Sequence, residues 1–406
     1  MALAVINPGK YHKGYSFERP PFNNAIYDPL QIAEIRAKTA VVVNRRTYVG
    51  NVKVFYSDGS SEVLSDAMFK SEVGKFDKFK RSGRIDVAVD DGEHIVALAE
   101  YADRILQFKQ RTLHVLNVSQ EVEYLEDSHM YKGIDNRAAV CKTDYGCAWV
   151  NEMGCYMYDG KQIRNILDKK GIRRIKSSTW SAFITQYAAI GYIPKERQLL
   201  VIGNMGDGSA GYFESGGDGF SGASGLVNAY LYDLVTDSWI FMKQRIYLDN
   251  GMSNMVVDFN NDLIYGYDVD AGEIKIGEWQ PVPSSSATVL NTVKIVTKDF
   301  DFGDAGRDTF IYKVIIQYIG GGNDTTADPD QDMTVYYRTN GDQGDWETFN
   351  ATTKLDDTTG NAVTVEIKPD STIKNKKSFQ LKLEGEASNT FVLNDITIIY
   401  REKSIG

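Results

Sequence analysis

Asn228-Ala-Tyr-Leu-Tyr-Asp-Leu-Val-Thr-Asp-Ser-Trp-Ile240 decides how this chain is read. Its apolar and polar side chains alternate, as they do when successive residues face opposite sides of a sheet. The alternation stops at the turn formers Thr236-Asp237-Ser238 and resumes at Trp239, so the stretch predicts a hairpin. Shorter versions recur over residues 103–116, 154–163 and 261–276. A hairpin repeated with drift is the sequence mark of a β-propeller.

Taking the second strand of each hairpin as a landmark gives Val54, Val115, Met157, Leu231 and Ile274, separated by 61, 42, 74 and 43 residues. A propeller blade takes about 40–50 residues. The longest separation falls to about 50 if the glycine-rich stretch 203–225 is an insertion. The 61-residue one holds a polar excursion over 59–83, with one short amphipathic helix expected at 66–76. Strand-rich sequence begins at Lys38, with a turn at Asn44-Arg45-Arg46. Residues 1–37 read as an extended N-terminal arm with a weak helical pattern around 30–35.

The pattern breaks at the linker Pro281-Val-Pro-Ser-Ser-Ser-Ala287. Beyond it, strands are expected at 289–297, 309–319, 332–338, 362–368, 377–384 and 391–401, separated by clusters such as Gly320-Gly-Gly-Asn-Asp. Phe310, Tyr312, Val314, Ile316 and Tyr318 alternate with Ile311, Lys313, Ile315 and Gln317, which puts the first five on one face. The expected fold is therefore all-β: a degenerate β-propeller over 38–280 followed by a C-terminal β-sandwich over 288–406.

Composition narrows the function. Hydrophobic residues at 42% and charged ones at 25% suit a globular domain, and 24 Tyr with 18 Phe suit sheets. A net charge of -10 argues against wrapping nucleic acid, which needs clustered cations. No run reaches the roughly 20 apolar residues of a membrane helix, so no membrane anchor is expected. The opening Met1-Ala-Leu-Ala-Val-Ile-Asn-Pro is too short and uncharged for a secretory signal. Cys141, Cys147 and Cys155 are odd in number and read as buried thiols.

No motif predicts catalysis. The stretches starting at Gly206 and Gly217 match GxGxxG, but no helix follows to hold a pyrophosphate. Gly216-Gly-Asp-Gly-Phe-Ser221 has Ser where a calcium nonapeptide wants Asp. Asp268 with Asp270, and Asp299-Phe-Asp-Phe-Gly-Asp304, space carboxylates as cation loops do but lack the bidentate acid. Thr339-Asn-Gly-Asp-Gln-Gly-Asp-Trp346 resembles the Asp-box turn of sialidase-like propellers, a structural device. His12, His94, His114 and His129 form no catalytic or metal spacing. No cofactor, metal or enzymatic activity is expected. The one basic run, 161–176, predicts a connector or a subunit contact through Lys169, Lys170, Arg173 and Arg174.

Four segments carry a family resemblance: Lys38-Thr-Ala-Val-Val-Val-Asn-Arg-Arg-Thr-Tyr-Val-Gly-Asn51, Ile105-Leu-Gln-Phe-Lys-Gln-Arg-Thr-Leu-His-Val-Leu-Asn117, Tyr145-Gly-Cys-Ala-Trp-Val-Asn-Glu-Met-Gly-Cys-Tyr-Met-Tyr-Asp-Gly160, and Thr297-Lys-Asp-Phe-Asp-Phe-Gly-Asp-Ala-Gly-Arg307 answered by Asn394-Asp-Ile-Thr-Ile-Ile-Tyr-Arg401. On these the chain resembles the tail nozzle, or tail-tube hub, proteins of short-tailed bacteriophages of podovirus type. The resemblance implies a virion protein in a homo-hexameric ring, bound to portal, adaptor and other tail proteins, with DNA passing transiently and without sequence readout. A mobile gate is expected in the glycine-rich stretch, at Gly206, Asp207, Tyr212, Phe213, Asp218 and Phe220. Six chains would present about 60 net negative charges, which would not hold a phosphate backbone. The rival expectation is a receptor- or carbohydrate-binding β-protein presenting Trp346 and Phe349, and behind it a glycoside hydrolase.

Overall fold

The computed structural model describes residues 12–15, 32–88, 91–120, 122–169, 171–205, 226–247, 252–270, 273–279, 291–303, 307–320, 332–342, 344–357, 361–387 and 391–403. The chain is nearly all β, in antiparallel sheets; among the described residues the one α-helix is Ser177–Phe183 (α1). Its contacts divide it into two compact units, Met1–Trp279 and Gln280–Gly406.

The first unit is a run of meanders. Its first sheet holds His12–Tyr15 (β1), Ile32–Val43 (β2), Arg46–Tyr56 (β3), Ser61–Glu72 (β4) and Lys75–Asp86 (β5) in chain order. The second holds Ala97–Tyr101 (β6), Arg104–Phe108 (β7), Thr112–Asn117 (β8) and Tyr124–Met130 (β9). The third holds Val140–Thr143 (β10), Gly146–Asn151 (β11), Gly154–Tyr158 (β12) and Ile163–Asn165 (β13), followed by a small hairpin of Asp168–Lys169 (β14) and Ile172–Arg173 (β15). The fourth holds Ala189–Ile193 (β16), Gln198–Ile202 (β17), Leu226–Asp233 (β18) and Ser238–Tyr247 (β19). The fifth holds Met252–Val257 (β20), Leu263–Asp270 (β21) and Glu273–Glu278 (β22).

All five sequence landmarks fall in the third strand of their sheets: Val54 in β3, Val115 in β8, Met157 in β12, Leu231 in β18 and Ile274 in β22. The turns that follow three of those strands share one chemistry. Asp233 Oδ1 accepts from the amides of Val235 and Thr236, Asp159 Oδ1 from those of Lys161 and Gln162, and Asn117 Oδ1 from that of Ser119. An Asx side chain thus supplies the acceptor that bends the chain back. The β2–β3 hairpin turns instead on Asn44 and Arg45, both at positive φ, whose twist matches that of the strands.

One strand near the start of each sheet lies beside that of the next, the second strand of the first sheet and the first strand of the others: β2 with β6, β6 with β10, β10 with β16 and β16 with β20. Every residue of β16 is buried, whereas β9, the last strand of the second sheet, has none. Trp149, fully buried on β11, meets Phe108 of the second sheet edge-on at 5.3 Å and stacks on Tyr156 at 5.5 Å. Burying one such ring contributes about 2–3 kcal/mol.

Two sequence expectations fail here. The helix expected at 66–76 is the β4–β5 hairpin, and the weak helical pattern around 30–35 includes the start of strand β2 at Ile32. Phe69, Val73 and Phe76 have helical spacing, but Phe69 is 1% exposed while Val73 and Phe76 are 50% and 51% exposed. They share no face. Pairing with β3 buries Leu64, Ala67, Met68 and Phe69 instead, through a register shift between Gly50 and Val52. The described parts of the N-terminal arm are extended and pair into this sheet, His12 opposite Ala37.

The second unit holds Asn291–Val296 (β23), Thr309–Ile319 (β24), Asp332–Thr339 (β25), Glu347–Thr348 (β26), Ala362–Ile367 (β27), Ile373–Lys376 (β28), Phe379–Ala387 (β29) and Val392–Glu402 (β30). One sheet runs β23-β29-β25-β26; in the other, β24 pairs with β27 and β28 and also with β30. Val314, Ile316 and Tyr318 of β24 share one core with Val335 and Tyr337 of β25 and with Leu381 and Leu383 of β29. The expected single face of β24 is corrected by an irregularity between Ile311 and Lys313, which changes the phase. Tyr312 is 41% exposed, while Val314 and Tyr318 are fully buried. The linker 281–287 lies outside the described residues.

Candidate functional site

Side-chain latches join each sheet of the first unit to the next. Between the first and second, Asn51 Nδ2 donates to the Ile95 carbonyl at 2.9 Å and Thr39 Oγ1 accepts from the Leu98 amide at 2.9 Å. Asn151, at the end of β11, donates to the carbonyls of Tyr131 and Gly133 at 3.1 and 2.8 Å, while its Oδ1 accepts from the amides of Met153 and Gly154. Gly133 is required there: a Cβ would stand 2.3 Å from the Lys109 carbonyl oxygen. Between the third and fourth sheets, Tyr192 donates to Asp144 at 2.9 Å and Trp239 Nε1 to the Ile166 carbonyl at 3.1 Å. Lys195 pairs with Asp262 at 2.5 Å across the fourth and fifth.

The second sheet buries a polar cell. Lys109, fully buried, places its ammonium 2.6 Å from Asp91 and 2.7 Å from the Ala88 carbonyl. Gln107 lies opposite His114 in the β7–β8 ladder, and both are buried. Ser128 meets His114 Nδ1 at 2.8 Å, whereas His114 Nε2 and both amide atoms of Gln107 have no partner among the described residues. Burial first, and the Lys109 ammonium second, hold the imidazole below its ordinary pKa; Asp91 and Glu93 act the other way. The three thiols are also pushed up by burial, that of Cys147 to about 12, which makes them inert packing groups.

A cleft of about 390 Å³ opens between the outer parts of the second and third sheets. Asp127 and His129 sit two apart on β9, on the side of Val115, and pair with each other at 3.0 Å. Glu126 is held by Arg104 and by Asn117 Nδ2, the latter at 3.1 Å. From the third sheet come Tyr158 at the end of β12 and Lys161, carried into the rim by the Asx turn of Asp159. Lys132 follows β9, its ammonium 4.5 Å from the centre of the Tyr156 ring. Burial alone pushes its pKa down. The sequence marks this lining only piecemeal, through Val115 and the 154–163 hairpin, His129 among the histidines and Lys161 at the head of the basic run, because its members are spread from Val115 to Ile163 and only strand pairing brings them together.

The residues expected to matter are placed as follows. The gate positions Gly206, Asp207, Tyr212, Phe213, Asp218 and Phe220 lie outside the described residues, as does Lys170. Lys169 is on β14. Arg174 pairs with Asp237 at 3.2 Å, and Arg173 donates to the carbonyls of Ile175 and Met153, each at 3.1 Å. Of the aspartates in cation-like loops, Asp299 accepts from the Ser378 hydroxyl across the sheet edge, and Asp301 from the Gly303 amide as a turn acceptor. Among the described residues no group of three His, Cys, Asp or Glu converges as metal ligands, and no helix is long and apolar enough to cross a membrane. The aromatic pair of the rival reading is not presented together: Phe349 is in the core, and Trp346 lies under the Arg338 guanidinium at 3.9 Å. Asp342, at the Asp-box-like turn, accepts from the Gly344 amide at 2.9 Å.

No protein-family model and no curated protein matches the chain. Among solved structures, an extracellular domain assigned to a one component system, BT4673 of B. thetaiotaomicron, is 9% identical with a TM-score of 0.25, over 59% of this chain and 40% of that one. The chain thus spans well under half the length of that domain. A functionally unknown protein from Desulfotomaculum acetoxidans DSM 771 is 11% identical with a TM-score of 0.25, over 82% of this chain and 99% of the other. A glycoside hydrolase is 8% identical with a TM-score of 0.19, over 89% of this chain and 83% of its own. Likeness at this level supports no statement of function.

Proposed function

We propose that the chain is a structural subunit of a short-tailed phage tail, a nozzle or hub ring that lines the genome-exit channel and supports DNA ejection. One observation supports it most. Successive antiparallel sheets set the strands β2, β6, β10, β16 and β20 side by side, the order in which propeller blades surround an axis. In this reading the first unit is a degenerate β-propeller and the second a β-sandwich. The latches at Asn51, Asn151 and Tyr192 suit a body that keeps its shape under load. The net charge of -10 suits a wall along which phosphates slide without being held.

The ring is homo-hexameric and docks on the portal and adaptor proteins. Lys169 and Lys170 meet an acidic neighbouring surface, and the 203–225 stretch narrows the channel before ejection. Native mass spectrometry and negative-stain imaging of the full chain, alone and with assembled portal and adaptor, test this. A six-fold ring on that template is expected. A chain that stays monomeric and leaves the template bare would overturn the proposal. Deleting 206–225 should let DNA leak from filled particles; unchanged retention would remove the gate.

A further inference from the structure

The cleft between the second and third sheets has a charge pattern that a scaffold does not need. Of its carboxylates, Glu126 is paired with Arg104, and Asp127 meets His129, an ion pair only when the imidazole is protonated. Neither of its ammonium groups forms an ion pair among the described residues, and that of Lys132 lies over the Tyr156 ring. Tyr158, just 4% exposed, brings a hydroxyl to the wall with no hydrogen-bond partner among those residues. On a chain of charge -10, the cleft keeps two ammonium groups without an ion pair beside a hydroxyl open to the cavity.

Such a lining selects its ligand by chemistry. Uncompensated ammonium groups call for an anion. A free phosphate would leave most of a cavity of about 390 Å³ empty, and a polyphosphate would run its charge against Glu126 and Asp127. A fatty acid needs an apolar wall, and Val115 and Ile163 are the only aliphatic residues here. A sugar acid meets both demands: one carboxylate for the lysines, and ring hydroxyls for the Tyr158 hydroxyl and the carboxylate oxygens. We propose that this cleft binds an acidic saccharide residue, with Lys132 and Lys161 holding its carboxylate and Tyr158 a ring hydroxyl. The site is independent of the tail reading and stands or falls separately.

Calorimetric titration of the full chain with galacturonate, which carries a single carboxylate, tests it, against neutral galactose, acetate and inorganic phosphate. Galacturonate should bind, with galactose at least about tenfold weaker. Lys161→Gln, on an exposed turn, should weaken binding about fivefold or more without moving the melting temperature, and Lys132→Gln should weaken it further. Tyr158→Phe should cost affinity for galacturonate while leaving acetate unchanged. If Lys132→Gln fails to fold, Lys161→Gln and the Tyr158 ring resonances of the native chain still report the site. Equal binding of galactose, phosphate matching the uronate, no binding at millimolar ligand, or wild-type affinity in Lys161→Gln would each overturn it.

Discussion

The two units bury different things. Inside the first, Asn51, Lys109, His114, Asn117 and Asn151 are buried with their polar groups, whereas the described core of the second contains only Thr309 and Lys382 of that kind. The difference follows from how sheets meet. Two sheets facing each other bury alternate side chains, and apolar alternation suffices to join them. Sheets set in succession meet along strands and linkers, where backbone carbonyls such as those of Ile95 and Gly133 face the neighbour. A buried carbonyl needs a donor, and an asparagine supplies one.

If that contrast is right, the largest losses come from apolar rings in both units, and the next largest from polar latches in the first alone. Trp149→Ala removes the ring between Phe108 and Tyr156 and should cost about 4 kcal/mol. In scanning calorimetry it should lower only the transition of the first unit, and Phe379→Ala only that of the second. Asn151→Ala deletes four hydrogen bonds and should cost about 3 kcal/mol. A loss below about 0.5 kcal/mol would mean that packing alone joins these sheets.

Much of this architecture was readable in sequence, for a physical reason. Alternation and turn chemistry are local, so the hairpin ending at Asp233 and the strand at 309–319 are written in consecutive residues. What was misread depended on partners. Phe69, Val73 and Phe76 could form a helix face until β3 offered a better burial, and the phase of β24 changes where β30 shifts register. The cleft as a whole was not legible. Lys132 and Lys161 are 29 positions apart, and the pairing of whole strands, not any motif, brings them to one cavity.

The buried ion pair sharpens the comparison, because its two halves should not respond alike. Asp91→Ala leaves the fully buried Lys109 ammonium with only the Ala88 carbonyl. With Asp91 itself 33% exposed, the loss should be about 2 kcal/mol, below the roughly 3–5 kcal/mol of a fully buried pair that is broken. Lys109→Met removes the charge and keeps the volume, and should cost under about 1 kcal/mol. Denaturant titration of both variants measures the asymmetry; equal losses would mean that the pair acts by packing.

His114 gives a smaller effect with a definite sign. Its folded pKa lies below that of the unfolded chain, so the unfolded state takes up the proton first as pH falls. The stability it contributes is fully present above the unfolded pKa, near 6.5, and is lost as pH drops through the window beneath it. His114→Gln should flatten the melting-temperature profile in that window while leaving it unchanged near pH 8. A variant that keeps the full acid slope would place the titrating group elsewhere.

The smallest effect belongs to the latch between the fourth and fifth sheets. Lys195 and Asp262 lie as close as the buried Lys109 and Asp91, at 2.5 Å against 2.6 Å, but the Lys195 side chain is 54% exposed. Water screens both charges and competes for both hydrogen bonds, so distance alone says little about stabilisation. Lys195→Ala should leave the melting temperature where it stands, at low and at high salt alike. A fall comparable to that of Asn151→Ala would show that exposed ion pairs, and not buried amide donors, hold successive sheets together, and the contrast between the two units would have to be redrawn on charge.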